Sequence, residues 1–200
     1  MFVRINTVTG AENIDAGVAY LKDKVVPEIR GQRGFRGLTV SGNQSTGDLG
    51  ILTLWDTRED LEASESSVSK LRQEAMKAIG GQISISIMEQ VFADVVAPQD
   101  LTGHPLRIQQ VKMDPARVDE HVAFFKSTVA PEIKATPGFL AVRNMLDRST
   151  GEGTVGTIWA DEASMRAAEA GDSERRERAR ARGVELGDPR YRTILLSDFA

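Results

Sequence analysis

The segment VVPEI at residues 25–29 recurs as VAPEI at residues 129–133, which is 104 positions further along the chain. A Gly-Phe pair follows each segment, beginning at Gly34 and at Gly138, and a single tryptophan follows each pair at matching spacing. A period of this length is typical of a domain copied once, and not of a solenoid repeat. The 200-residue chain is therefore predicted to contain two homologous units of ordinary domain size.

Each unit is predicted to begin with a strand that leads into an amphipathic helix. In the first unit the strand spans residues 2–8, and apolar residues then recur every three or four positions up to residue 29. That spacing predicts a helix with one apolar face. In the second unit Asp114 and Pro115 provide a helix cap and first turn. Pro27 and Pro131 predict a kink or break late in each helix, because proline lacks the backbone donor.

The rest of the first unit reads as a hairpin, a second helix and a long strand. Residues 35–42 and 49–55 alternate like strands around a polar turn. Residues 58–79 carry a helical apolar stripe that ends at Gly80, and residues 82–96 form the last strand. The resulting order, β-α-β-β-α-β, predicts an α+β fold of two tandem ferredoxin-like units.

The repeat also predicts the domain boundaries. The first unit covers residues 1–97, a linker covers residues 98–105, and the second unit covers residues 106–200. The linker contains Pro98, Gly103 and Pro105 and shows no periodicity, which is typical of a connecting loop.

Composition excludes several classes of function. The net charge of −4 disfavours general binding to nucleic acids or anionic membranes. The chain has no cysteine, so disulfides, thiolate metal sites and cysteine nucleophiles are excluded. No histidine–carboxylate cluster has metal-ligand spacing, so no metal is expected. The start of the chain lacks the apolar core of a secretory signal, and no apolar run is long enough to span a membrane, so a cytoplasmic protein is expected.

The second helix of the second unit contains the arginine-rich segment ERRERARAR at residues 174–182. Such a segment can bind nucleic acid, or it can be a solvated helix face carrying Glu–Arg pairs. The acidic total favours the solvated face.

Together these features resemble the antibiotic biosynthesis monooxygenase (ABM) family of the dimeric α/β-barrel superfamily. The resemblance rests on the βαββαβ order, on proline followed by Gly-Phe after the first helix, and on the tryptophan that ends the third strand. It covers both units. Members form homodimers whose sheets pack as a barrel, so the resemblance implies an intramolecular pseudo-dimer here. The whole chain is then expected to be a monomer or a weak homodimer.

For function, the resemblance leaves two alternatives open. The first is a cofactor-independent monooxygenase that acts on an aromatic or quinol-type small molecule. The second is a non-catalytic small-molecule-binding or stress-associated protein that kept the fold without the chemistry. No repeated acid–base constellation identifies catalytic residues, and no cofactor is expected.

The resemblance also places candidate pocket residues. Trp55 and Trp159 occupy equivalent positions that line or support the pocket in family enzymes, although large core residues would also explain them. Asn6 matches an asparagine that helps to position substrate in haem-degrading members, and a strand-end hydrogen bond is its alternative role. Asn6 and Ser64 together predict that the pocket of the first unit is the open one.

Haem degradation itself is disfavoured. That activity requires a second tryptophan and a histidine in the second helix. The corresponding positions hold Ser64 and Glu74 in the first unit, and Ala168 and Arg178 in the second.

His121 is the candidate proton acceptor. It lies one helical turn from Val118 and from Phe125, so its ring can reach the pocket, and imidazole suits the deprotonation of a phenol. The alternative is a partly exposed helix histidine without a function, since the first unit has Gly17 at this position. His104, the other histidine, lies in the predicted linker.

Overall fold

Each half of the chain has the predicted order of strands and helices in the computed structural model, which describes residues 1–96 and 100–199. Strands in this part of the chain are β1 (Phe2–Thr9), β2 (Phe35–Asn43), β3 (Asp48–Trp55), β4 (Gln82–Val95), β5 (Pro105–Lys112), β6 (Phe139–Leu146), β7 (Glu152–Trp159), β8 (Glu185–Leu186) and β9 (Arg190–Phe199). The α-helices are α1 (Ile14–Tyr20), α2 (Val26–Arg30), α3 (Arg58–Ala63), α4 (Glu65–Ile79), α5 (Val118–Phe124), α6 (Ala130–Lys134), α7 (Glu162–Ala167) and α8 (Asp172–Ala181). The predicted α+β class is confirmed.

The chain contains two compact units, and each includes a strand end from the other half of the sequence. Among the described residues, the first unit comprises residues 1–87, 100–103 and 193–199. The second unit comprises residues 88–96 and 104–192. The boundaries predicted from the repeat, at residues 97 and 106, remain a prediction. Residues 98 and 99 of the predicted linker lie outside the described residues, and Pro105 already belongs to β5.

Within each unit the strands follow the ferredoxin-like order. The first unit has the order β4-β1-β3-β2, and the second has the corresponding order β9-β5-β7-β6. β3 is antiparallel to both β1 and β2, and β7 is antiparallel to both β5 and β6. The two central hairpins are therefore formed as the sequence predicts.

The exchanged strand ends complete the two sheets. In the first unit residues 193–199 of β9 pair with β2, and Asp198 forms an ion pair with Arg30. In the second unit residues 89–95 of β4 pair with β6, and Asp94 forms an ion pair with Lys134. The two ion pairs are formed by equivalent residues of the two copies. The sheet of each unit is thus completed by the end of the last strand from the opposite copy.

Pro27 and Pro131 change the helical geometry without ending the helix. One π-helical segment, Leu21–Val25, precedes α2, and another, Phe125–Val129, precedes α6. Each proline then occupies the first turn of the following α-helix. The wider π turn is a recognised way to accommodate a position where the regular hydrogen-bond ladder is interrupted. The helix therefore continues past each proline after a π-helical segment, and it does not break there.

Two glycines release the chain from these helices into the hairpins. Gly34 has φ of 76° and Gly138 has φ of 81°, values that side chains rarely adopt. A Cβ atom at either position would also collide with a side chain, that of Asp60 in the first unit and that of Ser164 in the second. The Gly-Phe pairs that define the repeat are therefore backbone requirements.

The predicted helix cap in the second unit is also present. The carboxylate of Asp114 accepts a hydrogen bond from the backbone N–H of Ala116 at 2.9 Å, and Pro115 begins a short 3₁₀ turn that leads into α5. Within the described residues, no helix is long and apolar enough to cross a membrane.

Candidate functional site

A cavity of about 110 Å³ lies between the helices and the sheet of the second unit. Alternate residues of β5 and β7 form its floor, as expected for side chains that share one face of a sheet. These floor residues are Arg107, Gln109, Val111, Val155, Thr157 and Trp159. His121 and Phe124 of α5 and several residues of α8 form the walls. The lining combines apolar and aromatic side chains with polar and charged ones, a combination that suits a small-molecule site.

The two tryptophans make the same contacts in both units. Trp159 Nε1 donates a hydrogen bond to Thr157 Oγ1 at 3.0 Å, and Trp55 Nε1 donates one to Thr53 Oγ1 at 3.1 Å. Trp55 is 0% exposed and Trp159 is 2% exposed. Each indole also lines the cavity of its own unit. Each tryptophan is therefore both a core residue and part of a cavity wall.

Trp55→Phe should lower the free energy of unfolding by about 1–2 kcal/mol, because it leaves a small void and deprives Thr53 of its donor. Denaturant melts monitored by circular dichroism measure this loss. Trp159→Phe is the matched variant, and it should cost less because the cavity beside this indole already reduces its packing. Equal losses at the two positions would contradict this difference between the units.

His121 lines the cavity of the second unit together with Trp159. Its Nε2 atom is buried and has no hydrogen-bond partner among the described residues. Burial lowers the pKa of the imidazole below its ordinary value of 6.5, because the charged form loses solvation. The ring is therefore neutral near pH 7 and is able to accept a proton. The other histidine, His104, places its Nδ1 3.2 Å from the carbonyl oxygen of Ala160 and does not line this cavity.

Asn6 and Ser64 lie in the first unit but do not share a cavity. Asn6 lines a cavity of about 50 Å³ together with Trp55, and its Nδ2 is 3.5 Å from the carbonyl oxygen of Ile51. Ser64 is 2% exposed and does not line that cavity. Its Oγ accepts a hydrogen bond from Arg4 at 3.0 Å and donates one to the carbonyl of Leu61 at 2.6 Å. The structure thus brings together Asn6 with Trp55, and His121 with Trp159.

The prediction that the first unit has the more open pocket is wrong. Its cavity has less than half the volume of the cavity in the second unit. The guanidinium of Arg4 occupies the space that the small Ser64 side chain was expected to leave. In addition, α4 buries three apolar residues against the core, whereas α8 buries none. The second helix therefore leaves space in the second unit and fills it in the first.

Arg107 and Gln109 line the cavity but were not predicted as site residues. At the repeat offset of 104 they do not align with Arg4 and Asn6 of the first unit. Across the strands, Arg107 pairs with Thr157 as Arg4 pairs with Thr53. The first strands are thus offset by 103 positions, and the second copy has one additional residue before its helix. The visible signal is the motif Arg-Ile-Asn at residues 4–6, which recurs as Arg-Ile-Gln at residues 107–109.

The prediction of a solvated, Glu–Arg-paired face for residues 174–182 is correct only in part: α8 buries no residue, but its glutamate partners lie on other helices. Four arginines of this segment line the cavity, namely Arg175, Arg176, Arg178 and Arg182. Arg178 forms two hydrogen bonds, of 2.7 and 2.6 Å, with the carboxylate of Glu132 on α6. These bonds hold the pKa of the Glu132 carboxyl below its ordinary value. Most of these side chains therefore point to tertiary partners and not to neighbours on their own helix.

Metal ligands do not cluster in this site. Across residues 1–96 and 100–199, no group of three or more histidine and acidic side chains is arranged to hold a metal ion. The polar side chains that line the cavity carry the imidazole, the five guanidiniums, one amide, two threonine hydroxyls and one carboxylate.

Comparison with solved structures shows which fold this protein has. It has the fold of the ABM-like proteins of the dimeric α/β-barrel superfamily, with both ferredoxin-like units in one chain. A structure from Lactobacillus acidophilus, provisionally described as a monooxygenase, matches with a TM-score of 0.71 at 10% identity, over 99% of this chain and 95% of that one. An anthrone oxidase-like protein matches with a TM-score of 0.67 at 13% identity, over 100% and 91%. A ferredoxin-fold protein related to antibiotic biosynthesis monooxygenases, from Listeria monocytogenes, matches at 0.54 with 10% identity, over 96% and 94%. The predicted fold is confirmed.

Relatives at the level of sequence come from Mycobacterium tuberculosis (strain H37Rv). The uncharacterized protein Rv2557 is 27% identical over 152 residues, which covers 76% of this chain and 67% of the relative. The uncharacterized protein Rv2558 is 23% identical over 178 residues, which covers 88% of this chain and 75% of the relative. No protein-family model matches the chain.

Proposed function

We propose that the second unit is a cofactor-independent monooxygenase that oxidises a small aromatic phenol, quinol or anthrone with molecular oxygen. The observation that carries this proposal is the position of His121. Its Nε2 atom is buried, has no partner among the described residues, and belongs to a side chain that lines the second-unit cavity together with Trp159 and Phe125. In the tautomer with its proton on Nδ1, a neutral imidazole in that place offers Nε2 as a proton acceptor to a bound substrate.

The reaction balances without a further reductant, because the substrate itself supplies the electrons. For an anthrone, Nε2 of His121 takes a proton from the ring CH₂ group, and the resulting anion gives one electron to O₂. The radical and superoxide combine to a peroxide, which receives the proton back from the imidazolium. The peroxide then loses water, so that CH₂ and O₂ become C=O and H₂O. Trp159 and Phe125 provide aromatic surfaces for a flat substrate.

Oxygen uptake in the presence of anthrone tests the proposal. The purified protein should accelerate uptake above the protein-free rate, with one O₂ consumed and one anthraquinone formed per anthrone. Bovine serum albumin at equal mass is a control for non-specific binding of an apolar substrate. A rate no higher than with albumin, for anthrone and for a simple quinol, would refute the oxygenase function.

The second function, a non-catalytic small-molecule-binding protein, is favoured by the first unit. There, Gly17 takes the place of His121, and a Cβ atom at this position would collide with Ile79. The first unit has thus kept the fold and the tryptophan without this proton acceptor. Binding of anthraquinone without acceleration of anthrone oxidation would support this function over the first.

Haem should not be degraded by this protein. The side chains at the positions for a haem ligand are Glu74, which accepts a hydrogen bond from Tyr20 Oη at 2.7 Å, and Arg178, which is paired with Glu132. Neither replaces an imidazole as a ligand for iron. We therefore expect an unchanged Soret band when haem, protein and ascorbate are mixed. Loss of the band together with release of iron, beyond a protein-free control, would contradict this expectation.

A further inference from the structure

The walls of the second-unit cavity carry more positive than negative charge. Five arginines line it, one from β5 and four from α8 or its end: Arg107, Arg175, Arg176, Arg178 and Arg182. A single carboxylate, Asp172, lines it with them. Guanidinium groups remain protonated in proteins, so each of the five carries a full charge.

Three carboxylates partly neutralise these arginines. Asp172 is shared by Arg107 and Arg175, and the Arg175 Nη2 to Asp172 Oδ1 distance is 2.9 Å. Glu132 pairs with Arg178. The third carboxylate, Glu120, lies 3.6 Å from Arg182, but it also pairs with Arg117.

Arg176 has no carboxylate partner within the described part of the chain. Its guanidinium donates to the backbone carbonyls of Leu186, at 3.2 Å, and Gly187, at 2.9 Å. Five guanidiniums thus line the cavity against one lining carboxylate, and the carboxylates that pair with them from outside, Glu132 and Glu120, leave the cavity with an excess of positive charge. Because low-dielectric walls strengthen such a field, an anion gains more here than at an open surface.

Two buried donors at the cavity also lack acceptors. The Nε atoms of Arg107 and Arg178 are both buried, and neither has a hydrogen-bond partner among the described residues. An unpaired buried donor costs free energy, which an acceptor on a ligand would recover. Aromatic side chains line the same space, namely Trp159, Phe125 and Phe124, whose ring is covered by the guanidinium of Arg182 at 3.8 Å.

The first unit does not offer this arrangement. Its cavity is lined by Arg4 and Arg72, and both of these side chains pair with Glu65. Its volume, about 50 Å³, is also less than half of the roughly 110 Å³ of the second-unit cavity. The excess charge is therefore a property of the second unit alone among the described cavities.

We propose that the second-unit cavity selects aromatic ligands that carry a carboxylate, with the ring against Trp159 and the carboxylate at Arg176. Each terminal nitrogen of Arg176 keeps a second N–H beside its bond to Leu186 or Gly187, so a carboxylate can accept from it and gains a charge attraction that a neutral amide lacks. This inference names the substrate class for the proposed function and rests on the same cavity. Its test, however, requires no turnover.

Titration calorimetry with 2-naphthoate and 2-naphthamide tests the proposal, because the two compounds have nearly the same shape and differ in charge. The protein should bind naphthoate at least about 10-fold more tightly than naphthamide. Raising the NaCl concentration from about 50 mM to about 500 mM should weaken naphthoate binding and leave naphthamide unchanged.

Variants then locate the effect. Arg176→Gln should weaken naphthoate binding by about fivefold or more, while the affinity for naphthamide should stay within about twofold of the wild type. Most of the preference for naphthoate should therefore be lost. Arg176→Lys should keep most of the preference, because it keeps the charge. Arg180→Gln is the matched control, since Arg180 lies on the same helix but is exposed and does not line the cavity.

Three outcomes would overturn the inference: equal binding of the two compounds, a preference that Arg176→Gln leaves intact, or no binding of either compound at about 1 mM. Anthrone oxidation without a preference for naphthoate would leave the proposed function in place and remove this inference. A preference for naphthoate without oxygen uptake would support this inference and refute the proposed oxygenase function.

Discussion

His121→Phe should reduce the rate of anthrone oxidation by about 100-fold or more, while the protein remains folded. General bases contribute a factor on the order of 10² to 10⁴ to enzymatic rates. Phenylalanine keeps the ring beside Phe125, whose centroid lies 6.4 Å from that of His121, but it cannot accept a proton. Oxygen uptake gives the rate, and circular dichroism confirms the fold. His104→Gln removes the other histidine outside the cavity and should leave the rate unchanged.

The pH profile gives a second measure of the same residue. Burial lowers the pKa of His121 below 6.5, so the neutral, proton-accepting form persists to lower pH than for an exposed histidine. Three charged residues line a small space together with His121. Arg117 and Glu120 lie at the start of α5, and Arg182 lies at the end of α8. The rate should fall as the pH drops through the lowered pKa, and more than half of the maximal rate should remain at pH 6.5. A midpoint above 6.5, or an unchanged rate in His121→Phe, would assign the proton transfer to another group.

Asn144→Val should raise the free energy of unfolding by about 2–3 kcal/mol. Asn144 is 0% exposed, and neither its Oδ1 nor its Nδ2 has a partner among the described residues. Burying an unsatisfied amide costs roughly 1–3 kcal/mol per group, and valine of similar size removes that cost. The first unit already has Val40 at the equivalent position, and it is fully buried in an apolar core.

Chemical denaturation of the wild type and of Asn144→Val measures this gain. Val142→Thr is the matched control, because Val142 lies two residues away on the same face of β6 and is itself fully buried. That change introduces a hydroxyl and should be destabilising. A loss of stability in Asn144→Val would show that the amide is satisfied in solution, and the expected gain would then be refuted.

The repeat makes the fold predictable from sequence, because it depends on local requirements. Gly34 and Gly138 are needed for positive φ values, and the apolar stripes before Pro27 and Pro131 require helices. The first strands of the two units are offset by 103 positions and not by 104, because the second unit has one more residue between strand and helix. The sequence repeat does not show this difference, since a loop can gain a residue without changing the strand or the helix. It becomes visible only when Arg4 and Arg107 are compared through their pairing partners.

The site is less predictable, because it depends on which space remains between elements. The composition of α8 indicates a polar helix but not the direction of its arginines. Arg178 turns toward Glu132, which is 46 residues away and on another helix. Likewise, Ser64 is small, but the space beside it is occupied by Arg4 from β1. The direction of these side chains depends on packing between segments that are distant in the sequence. The periodicity of apolar residues does not predict that packing.

The exchanged strand ends have a consequence for synthesis on the ribosome. Residues 37–42 of β2 pair with residues 193–199, so the first unit cannot complete its sheet until almost 160 further residues have been translated. At about 5–20 residues per second, this delay is on the order of 10–30 s. During that time the nascent first half has an unpaired strand edge, which is a template for association with other chains. The unfinished chain is therefore expected to associate with other chains more readily than the completed protein, whose β2 edge is covered by β9.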